Sequence, residues 1–243
     1  MALHFVDETA GSAAVGDTLT LTGAEAHHAA AVRRVRVGEA VTVTDGRGAW
    51  LEGECASVAP REVVVRITAR REESAPAPRI ALAQALAKGD RDELAVQAAT
   101  ELGVDEILPW QAARSVSRWE GPKAEKGRAR WATIVREAAK QAHRAWLPEV
   151  TAVVSTAALA ARAADSRVLV LDPTAQARLS GVDLAGERDI LLVVGPEGGI
   201  APEELERLEE AGATRVRLGD TVLRTSTAGP AALALVNARL GRW

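Results

Sequence analysis

Two short apolar runs constrain the fold of this chain more than any other feature. Residues 168–171 (VLVL) and 190–194 (ILLVV) contain no polar side chain. A strand with one solvated face alternates polar and apolar residues, whereas uninterrupted apolar runs are typical of parallel strands that are covered on both faces. Parallel neighbours need crossover connections, which are usually helices. The two runs therefore predict an α/β domain built on a parallel sheet.

The segments around these runs supply the other elements that such a sheet needs. Strands are predicted at 80–85, 106–109 and 216–218, and helices at 91–102, 123–142, 202–211 and 228–240. Gly103 and Gly212 follow two of these helices, as glycine often does at a helix C-terminus. Ser155 is predicted to cap a further short helix. Repeated strand–helix order favours the α/β class with a mainly parallel sheet.

The N-terminal part of the chain has a different pattern, which predicts a small β-barrel. Its predicted strands are 41–44, 50–57 and 62–68, with a tight turn at 46–48. Thr22 and Glu25 fit a capping box in front of one helix over 27–32. Several short strands with a single helix are typical of a small barrel.

A change of composition marks the predicted boundary between the two domains. Residues 70–78 combine charged residues, Ser74 and two prolines, which disfavour both helix and core. We therefore predict a linker here, a barrel domain over 1–71 and an α/β domain over 72–243.

The charge is unevenly distributed along the chain. The net charge is −3, but residues 110–150 carry nine Lys or Arg against four acids, and residues 183–210 carry nine acids against two Arg. Such asymmetry can produce one basic surface that binds phosphate groups. A solvated helix face with ordinary ion pairs explains the same counts equally well.

Several classes of protein are disfavoured by what the sequence lacks. Cys55 is the single cysteine and the four histidines are scattered, so neither a disulfide nor a metal site is expected. The chain begins without a basic, signal-like segment, and no apolar run approaches the roughly 18 residues of a membrane span. These features predict a soluble cytoplasmic protein that binds neither membrane nor metal.

Two loops at predicted strand ends are rich in glycine and polar residues. We call residues 195–199 (GPEGG) the first glycine loop and residues 219–229 (GDTVLRTSTAG) the second glycine loop. Ligands of open α/β sheets bind beyond the carboxyl ends of the strands, where both loops are predicted to lie. Thr225 or Ser226 is predicted to cap the final helix, which places Arg224 beside a helix N-terminus. Taken singly, each loop could be an ordinary strand-to-helix connection.

Taken together, these loops resemble the SPOUT superfamily of methyltransferases. The resemblance rests on the first glycine loop followed by Leu218-Gly219 and Leu223-Arg224-Thr225. More narrowly, the whole chain is similar to the RsmE-like family, which methylates N3 of a uridine in 16S ribosomal RNA. The further matching segments are 27–34 with Gly38, 100–104 with Pro109, 136–138 with Gln141 and Arg144, and Pro148.

The resemblance implies a fold, a cofactor and partners. The fold is a PUA-like β-barrel followed by a SPOUT domain whose last segment forms a trefoil knot. The cofactor is S-adenosylmethionine, the substrate is 16S rRNA or the assembled small subunit, and the protein is a homodimer. The implied cofactor-binding residues are Leu171, Val194, Gly195, Pro196, Gly198, Gly199, Leu218, Gly219, Leu223 and Thr225.

Two residues are candidates for catalysis and nine for RNA binding. Arg224 is expected to stabilise the uridinate as negative charge develops. Glu197 is a candidate base, with an equally plausible role in binding the backbone of its own loop. The RNA-binding candidates are His27, Arg33, Arg34, Arg36, Arg114, Arg118, Lys123, Arg128 and Arg144. Trp119, Trp131 and Trp146 could stack bases, but are better explained as core or interface anchors.

The chain departs from the family pattern at a few positions. Ser226 stands where many members have Glu, and Ala201 stands where Ser often caps the next helix. Two alternative functions therefore stay open. One is a SPOUT methyltransferase that acts on another rRNA or tRNA position, and the other is a non-catalytic RNA-binding module with the same fold.

Overall fold

The computed structural model describes residues 3–243, which divide into two compact units. The first comprises residues up to 75 together with 139–147, and the second comprises 76–138 and 148–243. The domain bounds predicted from the sequence, 1–71 and 72–243, place residues 139–147 in the second domain. Sequence order alone cannot show that a later segment packs with an earlier unit. Residues 1 and 2 of the predicted barrel lie outside the described residues.

The first unit is a curled five-stranded sheet, as the barrel prediction required. Its elements are β1 Leu3–Val6, β2 Thr18–Thr22, α1 Gly23–His27, β3 Ala40–Thr44, β4 Ala49–Ala59 and β5 Glu62–Glu72. The strand order is β1-β3-β4-β5-β2, with β1 parallel to β3 and the other pairs antiparallel. Register shifts in β4 bend the sheet, as β-bulges do, around an apolar core.

Two expectations for this unit were wrong in detail. Strand β5 continues to Glu72, so the linker begins later than residue 70, and Arg71 pairs across the strands with Glu52 (3.4 Å). The helix predicted over 27–32 is present and begins earlier, as α1 followed by a π-helical turn over His28–Val32, but the Thr22 side chain caps nothing. Glu25 is buried and forms an ion pair with Lys140 (3.1 Å) instead of closing a capping box.

The second unit is the predicted parallel sheet with helices on both faces. Its elements are β6 Ile80–Ala85, α2 Arg91–Glu101, β7 Glu106–Trp110, α3 Pro122–Gln141, β8 Glu149–Val150, α4 Thr156–Ala161, β9 Ser166–Leu171, β10 Asp189–Val194, α5 Pro202–Glu210, β11 Thr214–Val216 and α6 Thr225–Arg239. The last residues of α3 belong to the first unit. All strands are parallel, in the order β11-β9-β10-β6-β7-β8.

The apolar runs are buried on both faces, as their composition predicted. In β10, Ile190, Leu192 and Val194 contact the core under α2 and α6, whereas Leu191 and Val193 contact the core under α4 and α5. Each helix layer therefore covers one side of the same strand. The trefoil knot implied by the family resemblance stays a prediction.

Other expectations for this unit are confirmed or corrected. The Ser155 hydroxyl caps α4 by accepting a hydrogen bond from the Ala158 amide (3.3 Å). Strand β11 ends at Val216 instead of reaching residue 218, and α6 begins at Thr225 instead of 228. Trp119 and Trp131 are buried in an edge-to-face pair (centroids 5.0 Å apart), so they are core residues.

Within residues 3–243, no helix is long and apolar enough to cross a bilayer.

We predict that the stability of the first unit depends on pH through His4. This ring is buried, stacks on Trp50 (4.6 Å) and His143 (5.1 Å), and binds Thr42 Oγ1 through Nδ1 (2.7 Å). Burial, with the neighbouring His143, lowers the pKa of His4 from 6.5 to about 4. Unfolding exposes a ring that protonates more readily, so the free energy of unfolding should fall as the pH drops from about 6.5 to about 4, by roughly 3 kcal/mol.

Urea unfolding at a series of pH values, followed by tryptophan fluorescence, tests this prediction. His4→Asn should reduce the acid slope, which is the fall in the free energy of unfolding between about pH 6.5 and about pH 4. His27→Asn alters an exposed ring and should leave this slope unchanged. A residual slope is expected from His143, because burial lowers its pKa as well. An acid slope that His4→Asn does not reduce would contradict the prediction.

Candidate active site

A cavity of about 550 Å³ opens at the carboxyl ends of β9, β10 and β11. This volume lies within the range of small-molecule sites in proteins. Its walls include both predicted catalytic residues and all the predicted cofactor-binding residues except Gly198: Leu171, Val194, Gly195, Pro196, Glu197, Gly199, Leu218, Gly219, Leu223, Arg224 and Thr225. The structure therefore brings the two glycine loops together around one space.

The first glycine loop turns sharply after β10. A Cβ atom on Gly195 would lie 2.6 Å from Ile200 Cγ1, so no larger residue fits there without a shift. Gly199 has a φ of +74°, which favours glycine. The helix α5 that follows begins after Ala201, whose side chain cannot cap it, and Glu204 accepts a hydrogen bond from the Ala201 amide (3.3 Å).

One hydroxyl group joins the two loops to the sheet. Thr225 Oγ1 accepts a hydrogen bond from Gln84 Nε2 (2.9 Å) and donates to the carbonyl oxygen of Gly195 (2.9 Å). Because the amide of Gln84 is the donor, the single hydroxyl hydrogen remains for Gly195. The end of β6, the first glycine loop and the start of α6 are thereby connected.

This bonding corrects the expected cap of the last helix. Arg224, not Thr225 or Ser226, occupies the N-cap position, and no side chain caps the helix there. The Thr225 hydroxyl is engaged within the site instead. The fully buried Gln84 was missed by the sequence analysis, although it is the one polar residue of strand β6.

Arg224 lies at the rim of the cavity, and its guanidinium group is available to bind a ligand. Its carbonyl oxygen accepts hydrogen bonds from the amides of Thr227 (2.9 Å) and Ala228 (3.0 Å), which starts α6. Within residues 3–243, its side chain forms no hydrogen bond or ion pair. The site therefore presents an exposed cation beside a helix N-terminus, an arrangement that stabilises negative charge.

Glu197 lies in the cavity wall, and its carboxylate is held by two hydrogen bonds. Its Oε1 accepts hydrogen bonds from Arg91 Nη1 (2.8 Å) and from the Lys88 amide (3.1 Å). Burial by itself would raise the pKa of this carboxyl, but hydrogen bonds from its own amide, Arg91 and Lys88 outweigh it and lower the pKa. A carboxylate stabilised in this way is a weak base. The two hydrogen bonds that Glu197 accepts fit a role in anchoring the first glycine loop.

Charged residues that the sequence analysis did not select also line the cavity. Asp172, directly after β9, binds Arg215 (2.6 Å) and the amide and hydroxyl of Thr174 (both 2.8 Å). Burial would raise the pKa of Asp172, but these contacts lower it overall. Arg217 lies on the same wall, and its buried Nε has no partner within residues 3–243.

The RNA-binding candidates are divided between the two units. His27, Arg33, Arg34 and Arg36 are exposed in the first unit, where Arg144 is half-buried. Arg114, Arg118, Lys123 and Arg128 are exposed in the second unit. Arg114 is the one that contacts a cavity loop, because its Nη1 donates to the carbonyl oxygen of Gly198 (3.2 Å). Among residues 3–243, no group of His, Cys, Asp and Glu is arranged to bind a metal ion.

Comparison with protein families matches both units of the chain. Residues 73–237 match the model of an RNA methyltransferase domain, and residues 21–68 match that of an RNA methyltransferase PUA domain. Ribosomal RNA small subunit methyltransferase E of Mycobacterium bovis is 43% identical over 99% of this chain and 93% of its own length. The Bacillus subtilis protein of the same name is 33% identical, over 98% and 96% respectively.

Solved structures of similar fold include two that contain S-adenosylmethionine. One is ribosomal RNA small subunit methyltransferase E from Neisseria gonorrhoeae (TM-score 0.89, 28% identity, 98% of each chain covered). The other is a putative methyltransferase from Legionella pneumophila (TM-score 0.89, 29% identity, 98% of each chain). The matched RNA methyltransferase and PUA domains, with identity along the whole chain, agree with the fold and the cavity. The chain belongs to the ribosomal RNA small subunit methyltransferase E family.

Proposed function

We propose that this protein transfers a methyl group from S-adenosylmethionine to N3 of a uridine in 16S ribosomal RNA. The observation that carries the proposal is the cavity in which both glycine loops meet at Thr225, with the free guanidinium of Arg224 at its rim. The names of the relatives support a small-subunit rRNA substrate, and the ligands of the structural neighbours support the cofactor.

The cavity fits such a cofactor in size and in chemistry. Leu171, Leu218 and Leu223 offer apolar walls for a flat base, and the glycine loops offer exposed backbone groups for its polar edge. Asp172 and Arg217 supply charges of both signs, which suits a zwitterionic amino-acid group. When bound, S-adenosylmethionine would supply an electrophilic methyl group on a sulfonium ion.

Arg224 is proposed to stabilise the deprotonated target base. The uracil N3–H is a weak acid, and its nitrogen attacks poorly until the proton has left. An exposed guanidinium at the cavity rim can stabilise the resulting uridinate electrostatically. Since N3 lies on the base-pairing edge, the target nucleotide must enter the site unpaired or flipped out.

Glu197 is proposed to position the first glycine loop, while the proton passes to solvent. The carboxylate would have to give up Arg91 and the Lys88 amide to act as a base. The described residues that line the cavity include no histidine that could take this role. We also propose that the protein works in the cytoplasm as a homodimer, as the family resemblance implies.

The first prediction of this proposal concerns the modified nucleoside. Deleting the gene should remove 3-methyluridine from small-subunit rRNA, and a complementing copy should restore it. Mass spectrometry of nucleosides from purified rRNA measures this directly. Loss of another methylated nucleoside would assign a different target, and an unchanged profile would favour a non-catalytic RNA-binding module.

The second prediction separates the roles of Arg224 and Glu197. Arg224→Met should lower kcat by about a hundredfold to a thousandfold, because it removes a group that stabilises developing charge, and Arg224→Lys should recover part of the loss. Glu197→Gln keeps the shape of the anchor and should lower kcat only a few-fold. A loss of about a hundredfold or more in Glu197→Gln would instead indicate general-base catalysis. Methyl transfer at saturating RNA measures both.

The third prediction concerns the hydroxyl of Thr225. Thr225→Val removes both hydrogen bonds of the hydroxyl and leaves the buried Gln84 Nε2 with its bond to the Ala85 carbonyl oxygen (3.2 Å) alone, which should weaken cofactor binding about tenfold. Thr225→Ser keeps the hydroxyl and should bind almost as well as the wild type. Thr100→Val is the matched control, because it removes a buried hydroxyl from α2, away from the cavity. Calorimetric titration with S-adenosylmethionine tests all three, and equal affinities would contradict the prediction.

A further inference from the structure

Arg91 and Arg114 contact the first glycine loop from the side of β6 and β7, Lys88 binds Glu197 through its amide (3.1 Å), and Arg118 binds the carbonyl oxygen of Ala113, next to Arg114 (3.3 Å). Arg91, at the start of α2, binds Glu197, and Arg114, in the loop after β7, binds the carbonyl oxygen of the next residue, Gly198. Two guanidinium groups from different elements thus contact adjacent residues of one loop. We call this set the basic rim: Lys88, Arg91, Arg114 and Arg118.

The basic rim retains hydrogen-bond donors and positive charge. A guanidinium has five N–H donors, and the contacts of Arg91 and Arg114 with the loop each use one. Within residues 3–243, the side chains of Lys88, Arg114 and Arg118 form no ion pair, and all three are exposed.

Of the acids within three residues of the rim in the sequence, Glu93 pairs with Arg130 (2.9 Å), and Asp92 is buried and accepts a hydrogen bond from the Ala87 amide (3.0 Å). Glu197 offsets the charge of Arg91, so the three exposed cations of the rim outnumber the two exposed acids beside them, Asp90 and Glu120.

On the opposite side of the cavity each arginine has a carboxylate partner, the most distant being Asp220 at 3.9 Å from Arg217. There Arg215 pairs with Asp172 (2.6 Å), and Arg178 pairs with Asp220 (2.9 Å). The strand order places β9 and β11 on one side of β10, and β6 and β7 on the other. Within residues 3–243, the exposed cations near the cavity that lack an ion pair are therefore Arg224 and the β6–β7 residues Lys88, Arg114 and Arg118.

We propose that the basic rim binds phosphate groups of the RNA strand next to the target nucleotide. The strand would reach the cavity across the β6–β7 side of the first glycine loop, with the base entering towards Arg224. Guanidinium groups bind phosphate through paired N–H donors, and those already held against the loop lose less conformational freedom on binding. This inference rests on the proposed function and adds Lys88 and Arg91 to the RNA-binding residues.

Salt dependence of the reaction tests the proposal. For single-stranded nucleic acid, each phosphate contact contributes about 0.7 to the slope of log affinity against log salt. Lys88→Glu and Arg114→Ala should each raise the KM for an rRNA fragment about tenfold and reduce that slope in kcat/KM by about 0.7. The kcat at saturating RNA and the affinity for S-adenosylmethionine should stay unchanged.

Arg188→Ala is the matched control. Arg188 is exposed and contacts the backbone carbonyls of Ala163 (2.6 Å) and Ala164 (3.0 Å), much as Arg114 contacts Gly198. It precedes β10 and so lies at the amino ends of the strands, away from the cavity. This variant should show the wild-type KM and salt slope.

Three outcomes would be decisive. A wild-type salt slope and KM in Lys88→Glu and Arg114→Ala would overturn the proposal, while methylation by those variants would leave the proposed function intact. The proposal would also be overturned if Arg114→Ala bound S-adenosylmethionine more weakly while Lys88→Glu kept the wild-type salt slope. Arg114 would then support the first glycine loop and would not bind RNA. Absence of rRNA methylation by the wild-type protein would instead refute the proposed function.

Discussion

The hydrogen bonds of the Thr225 hydroxyl fix the point where the elements of the cavity meet. Strand β10 is immobilised by parallel pairing with β6 on one side and β9 on the other. The loop after it is rich in glycine and has little conformational restraint of its own. The hydrogen bonds from Gln84 to Thr225 and from Thr225 to the carbonyl oxygen of Gly195 connect that loop to β6 and α6. The sheet therefore restrains the loop.

The position of Arg224 depends in turn on how closely α6 packs against the sheet. A Cβ on Gly229 would lie 3.1 Å from Leu82 Cδ1, a tight approach that favours glycine there. Further along α6, the amide of Asn237 donates to the carbonyl oxygen of Leu102 at the end of α2 (2.6 Å). These contacts hold the start of the helix, and with it Arg224, at the cavity rim.

The charges around the cavity differ in whether they are paired. Arg215 and Arg91 are paired with carboxylates, and these pairs hold the loops that carry Asp172 and Glu197 in place. Within residues 3–243, Arg224 and the exposed members of the basic rim lack such partners, which is why we propose that they bind the substrate. A chain with net charge −3 can thus offer a local cationic surface, because acids and bases are paired unevenly.

The sequence by itself determined the fold class and most of the candidate site. Uninterrupted apolar runs are typical of strands buried on both faces, so the parallel sheet could be predicted from local composition. The glycine-rich segments at strand ends were candidate ligand loops, and the individual cofactor-binding residues were implied by the family resemblance. Glu197 shows the limit of such prediction, because its carboxylate is committed to Arg91 and Lys88, which are far from it in sequence.

Only the tertiary structure decided which partners the polar groups take. Gln84 is separated from Thr225 by most of the second unit, and Lys140 is far from Glu25 in sequence, so no local pattern could pair them. The same holds for residues 139–147, which join the first unit. Periodicity reports which face of an element is buried, but the partner of each buried polar group is set by long-range packing.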